Sequence, residues 1–145
     1  AWTTASPYNT TAGTGQERIG GGGPSTAALK IGGEVYNPAT SPNYPVSNST
    51  EEWDGSGWTT GGNFGGGSIR FGSMSGDSGN AIAAYGNTGA PATPGTAFSY
   101  DGSSWTTAPS TGTARQAMGS GGTAAAGLLV ENPQLQQLLL QQKNM

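Results

Sequence analysis

Glu51-Glu52-Trp53-Asp54-Gly55-Ser56-Gly57-Trp58-Thr59-Thr60 is matched further along the chain by Phe98-Ser99-Tyr100-Asp101-Gly102-Ser103-Ser104-Trp105-Thr106-Thr107. Aligned on the Asp, both read aromatic, Asp, Gly, Ser, small, Trp, Thr, Thr. An Asp-Gly pair between two aromatics has the spacing of a β-hairpin, because Gly supplies positive φ and the Asp side chain closes the turn. Trp53 and Trp58 then lie on paired strands. The opening Trp2-Thr3-Thr4 repeats the end of the same motif, so the Trp-Thr-Thr triplets recur at intervals of 56 and 47 residues. A second marker keeps this phase: Arg18, Arg70 and Arg115 are separated by 52 and 45 residues.

Between each Arg and the next Trp runs an apolar stretch ending in small residues, Ala27 to Gly33 in one copy and Ala81 to Asn87 in the next. Each period therefore reads as four short strands, and a repeated four-stranded unit of this length is what a β-propeller blade requires. The expected units lie at about 14–60 and 66–107, with two further strands at 113–130 and one outer strand from Trp2, about 2.75 blades in all. The fold class is all-β. A propeller closes with typically 4 to 8 blades, so the expectation is a partial ring completed by other chains or by sequence beyond this one.

Composition agrees with strands and turns. The chain has 145 residues, 27 of them Gly and 9 Pro, and only 32% are hydrophobic. With no Cys and no His, it has no disulfide framework, thiol nucleophile, Ser-His-Asp triad or imidazole-ligated metal centre. A net charge of −3 is the wrong sign for binding along a phosphate backbone, so nucleic acid is not an expected partner. No apolar run approaches the roughly 20 residues that span a bilayer, and the polar start lacks the regions of a signal peptide. No cofactor and no membrane insertion are expected.

The pattern of a Gly-Gly, then an aromatic, then a Trp a few residues later resembles the kelch repeat. Gly32-Gly33, Trp53 and Trp58 match it in the first full copy, while Tyr100 and Trp105 match in the second, where Tyr85-Gly86 replaces the double Gly. The wording Tyr-Asp-Gly-Ser-Ser-Trp-Thr-Thr, with Thr113-Ala114-Arg115-Gln116 after it, is similar to kelch-type arrays in marine bacteriophage virion proteins, notably tail fibres. The resemblance covers about residues 1–127. It implies a four-stranded blade with the second Trp packed between blades and a location on an extracellular virion. Kelch-like propellers include copper radical oxidases, but their His ligands and cross-linked Cys are absent here, so a non-catalytic protein is expected.

Two regions fall outside the repeat. The Pro-rich insertion between Gly33 and Glu51 reads as an extended surface loop, either a plain inter-strand excursion or a recognition loop with Tyr36 and Tyr44 as contacts. Residues 131–145 form a tail distinct from the β-repeat domain at 1–130. Asn132-Pro133 is a helix start, and Leu135, Leu138 and Leu139 follow at helical spacing. A helix of roughly ten residues is marginal alone, so it should dock on its own chain or mediate contacts between chains.

The remaining chemistry has a structural and a functional reading in each case. Glu51, Glu52 and Asp54 are carboxylates close in sequence, but alternation along a strand separates the first two and the turn accounts for the third. Asp77 in Ser75-Gly76-Asp77-Ser78-Gly79-Asn80 reads as a solvated turn, since EF-hand spacing is absent. The phased arginines either ring a central opening or satisfy carbonyls of a neighbouring unit. The tryptophans either pack between units or stack on sugar. The leading expectation is a structural virion protein, in a tail fibre, tail appendage or capsid surface, that contacts copies of itself or other virion proteins. The alternative is a carbohydrate-binding propeller that recognises a host-surface glycan. A third, an intertwined trimeric β fibre, predicts that the repeats do not form equivalent four-stranded units.

Overall fold

The computed structural model describes residues 4–8, 16–35, 45–65, 69, 72–84, 86, 95–110 and 119–130, and every regular element among them is a β-strand. Strands β2 (Gly20–Gly22), β3 (Ala28–Ile31), β5 (Thr50–Trp53) and β6 (Trp58–Thr60) form one antiparallel sheet in that order. Strands β7 (Ser73–Gly76), β8 (Ala81–Ala84), β9 (Ala97–Tyr100) and β10 (Trp105–Ala108) form a second with the same succession. Strands β11 (Gly119–Gly122) and β12 (Gly127–Val130) pair as a third sheet, and β1 (Gln16–Glu17) with β4 (Glu34–Val35) as a short fourth. The sheets do not close into a ring among the described residues. The helix expected over 131–145 and the outer strand expected to start at Trp2 lie outside the described residues, while 4–8 carries no regular element.

The two four-stranded sheets are in register with each other. Trp53 pairs with Trp58 across one outer hairpin and Tyr100 with Trp105 across the other. Ala28 pairs with Trp53, as Ala81 pairs with Tyr100. On this alignment Lys30 and Glu51 correspond to Ala83 and Phe98. The third sheet begins in the same way, with Gly122 opposite Gly127 where Gly76 stands opposite Ala81.

A glycine at positive φ closes or directly follows each first strand: Gly23 at 109°, Gly76 at 112° and Gly122 at 97°. A Cβ there would run into the carbonyl of Ala27, Asn80 or Ala126 on the returning chain. Only glycine combines that conformation with that approach, so these three residues fix where each unit turns back. A backbone or side-chain oxygen closes each turn: Pro24 O accepts from Ala27 N at 3.1 Å, Asp77 Oδ1 from Gly79 N at 2.8 Å, and Thr123 Oγ1 from Ala126 N at 3.1 Å.

Alternation along β3 sends Leu29 and Ile31 to one face and Ala28 and Lys30 to the other. Leu29 and Ile31 are fully buried against Met74, Ala81, Ala83 and Tyr100 of the second sheet, with Phe64 and Ile69 closing the cluster from the connecting segment. Burial of each large aliphatic side chain in this cluster contributes about 1.5 to 3 kcal/mol. The sheets therefore stack face to face, with β7 between β2 and β11. The third sheet is tied on by Ser120, whose hydroxyl accepts from Met74 N at 3.0 Å and donates to Met74 O at 2.6 Å. Its outer face is open, with Leu128 65% and Val130 55% exposed.

Candidate functional site

The repeat markers gather at two places, the seam between the large sheets and a cleft on the opposite face of the first. At the seam, Trp105 is half-buried and its Nε1 donates to Thr50 Oγ1 at 2.9 Å, tying β10 to β5 of the preceding sheet. Its ring packs on Tyr100 at 4.8 Å and edge-on to Phe64 at 5.0 Å. The Tyr100 hydroxyl donates to Glu52 Oε1, also on β5. Burial, reinforced by that carboxylate, pushes the Tyr100 phenol up to about 12.

The Asp-Gly hairpins are built as the motif requires. Asp54 Oδ1 accepts from Ser56 N, Ser56 Oγ and Gly57 N at 2.8, 2.8 and 2.9 Å, and Gly55 has φ of 96°. Asp101 Oδ1 accepts from Ser103 N, Ser103 Oγ and Ser104 N at 2.9, 2.9 and 2.8 Å, with Gly102 at 90°. These donors, the backbone N–H of Ser104 foremost, hold the Asp101 carboxyl down at about 2, and Asp54 is lowered for the same reason. Both carboxylates are exposed, yet their Oδ1 lone pairs are committed to the turn. Asp77 is a turn acceptor too. No group of three or more metal-ligating side chains occurs among the described residues.

Two ion pairs flank β3. Lys30 Nζ lies 3.2 Å from Glu51 Oε1 with both side chains 3% exposed, donates to Ser49 Oγ at 2.9 Å, and stands 5.5 Å from the Tyr8 ring centroid. Desolvation lowers the Lys30 pKa, opposed by Glu51. Arg18, at φ of 57°, pairs with the fully buried Glu34 just beyond Gly32-Gly33. That partner is a carboxylate of its own unit. The double glycine has its own cause: a Cβ on Gly32 would strike the Ile69 carbonyl, and Gly33 N donates to that oxygen at 2.7 Å.

On the other face of the first sheet, Trp53 and Trp58 pack at 5.4 Å beside residues 4–8. Trp53 Nε1 donates to Ser25 O at 2.8 Å and Trp58 Nε1 to Ser6 O at 3.1 Å, so both rings are fixed in orientation. Between the 4–6 segment, the β2–β3 turn and the β5–β6 turn lies a cleft of about 650 Å³. Tyr8 meets Trp58 edge-on at 6.4 Å, as Phe64 meets Trp105. Tyr8 and Phe64 each stand six residues after a repeat Trp, Trp2 and Trp58. That shared offset was available in the sequence and marks an aromatic plug at the entrance to each sheet.

Of the residues singled out in the sequence, the structure brings Tyr100 and Trp105 together at the seam and Trp53 and Trp58 at the cleft. Trp2, Arg70, Arg115, Tyr36, Tyr44, Leu135, Leu138 and Leu139 lie outside the described residues. In comparisons with known proteins, no family model matches the chain and no curated protein is similar to it.

Proposed function

We propose that the chain is a non-catalytic structural protein whose four-stranded units are kelch-like blades of a propeller array, carried on an extracellular particle such as a phage virion. The observation that supports this reading is the duplicated stacking: the face of one sheet receives the next, the first strands β2, β7 and β11 are neighbours, and the repeat Trp of the second unit sits at the seam. A radial array of blades has this order of contacts. The carboxylates fit a structural role as well, since Glu51 is paired with Lys30, Glu52 accepts from Tyr100, and Asp54 and Asp101 close turns. The open faces of such an array make other copies of the chain, or other particle proteins, its natural partners.

The test is where the protein goes. In the culture that produces it, particles separated on a density gradient should carry its peptides in fixed proportion to the other particle proteins. Recovery in the cell-lysate fraction alone would overturn the assignment.

A further inference from the structure

Two equivalent linkers differ beside the large sheets. At the second sheet, Gly61 and Gly62 follow β6: a Cβ on Gly61 would meet Glu52 Oε1 and the Tyr100 hydroxyl, and one on Gly62 would strike the Ser103 carbonyl in the β9–β10 turn. At the first sheet, the offset that aligns Trp2 with Trp58 places Ala5 and Ser6 in those positions. Both line the cleft of about 650 Å³ that separates this linker from the β5–β6 turn.

Among the described residues its lining is neutral: the half-buried Trp58 ring, the edge of the largely buried Trp53 and Pro24 supply apolar surface, and Ser6, Ser25 and Ser56 supply hydroxyls. We propose that this cleft binds a neutral saccharide. A sugar presents an apolar C–H face edged by hydroxyls, which matches apolar walls carrying a few polar groups. A phosphate or carboxylate ligand would find no counter-charge among the described lining residues, and the neighbouring Asp54 is itself anionic, its Oδ1 already accepting three bonds. Because both indole N–H groups are spent on Ser6 O and Ser25 O, recognition falls to the ring surfaces and the serine hydroxyls. The proposal goes beyond the structural role and places the ligand on the face of the first sheet turned away from the seam.

Titration of the ¹⁵N-labelled chain with glucose, galactose, mannose, N-acetylglucosamine and their β-linked disaccharides reads this directly from the indole N–H signals. The expected result is a saturable shift of the Trp53 and Trp58 signals by at least one sugar, with Kd in the millimolar range, while Trp105 stays still. Trp58→Ala should weaken binding at least tenfold. Ser25→Phe, on an exposed turn at the cleft mouth, keeps the carbonyl that holds Trp53 and should cost as much binding at unchanged Tm. Shifts confined to Trp105, no shift at tens of millimolar sugar, or undiminished binding by Ser25→Phe would overturn the proposal. Each of those outcomes would leave the particle assignment standing.

Discussion

The centres of the two large sheets are built from opposite chemistry on the same frame. In the first, Lys30 and Glu51 form a buried ion pair on adjacent strands, capped by Tyr8. In the second, the same positions hold Ala83 and Phe98, capped by Phe64 at 4.8 Å. The hairpins, registers and turn glycines are otherwise alike. The frame therefore comes from the Asp-Gly turns and their flanking aromatics, and the face centre takes whatever fills it with its polar groups paired. An ion pair at such a site is a poor source of net stability, because desolvation offsets much of the attraction, but breaking one half is costly.

Swapping the two chemistries is the strongest way to test that comparison. Lys30→Ala alone should destabilise the chain by about 3 to 5 kcal/mol, because it removes the cation beside the buried Glu51 carboxylate. The double change Lys30→Ala with Glu51→Phe, which copies the second sheet, should recover most of that loss in urea denaturation. A double variant as unstable as the single one would mean that the two faces are not equivalent.

The tryptophans sharpen it next. Trp105→Ala removes a ring held between two sheets and should cost about 3 to 5 kcal/mol. Trp58→Ala, beside the cleft, should cost about 1 to 2 kcal/mol, within the ordinary range for single substitutions. Equal losses in thermal melts would argue that the seam is no special site.

Smallest are the pH effects. Asp101 titrates at about 2 in the folded chain, below its ordinary value of 3.8, so its contribution is present above pH 4 and is lost as pH falls from about 4 to 2. Asp101→Asn keeps the turn acceptor and should flatten Tm across that window. Tyr100 titrates at about 12, above its ordinary 10.0, so its contribution holds below pH 10 and is lost as pH rises toward 12, a loss that Tyr100→Phe should abolish. The second effect belongs to one sheet alone, since Trp53 occupies the place of Tyr100 in the other.

What the sequence disclosed of this arrangement was local. Asp54-Gly55 and Asp101-Gly102 announce their hairpins because the turn chemistry is contained in four residues. Turn glycines Gly23, Gly76 and Gly122 keep the same phase but are hidden among 27 glycines, most without that duty. Pairing of Lys30 with Glu51 was not legible, because a Pro-rich insertion separates the strands and a one-residue slip would have sent either side chain to the other face. Nor was the cleft, which three segments distant in sequence build together: 4–6, the β2–β3 turn and the β5–β6 turn.

The two sequence repeats fold as equivalent four-stranded sheets stacked face to face within one chain. An isotope-filtered NOE measurement on a mixture of labelled and unlabelled protein tests it at the seam. The account predicts an intramolecular cross-peak between the Trp105 indole N–H and the side chain of Thr50. A cross-peak seen only between chains, or none at all, would contradict the stacking and favour an intertwined fibre.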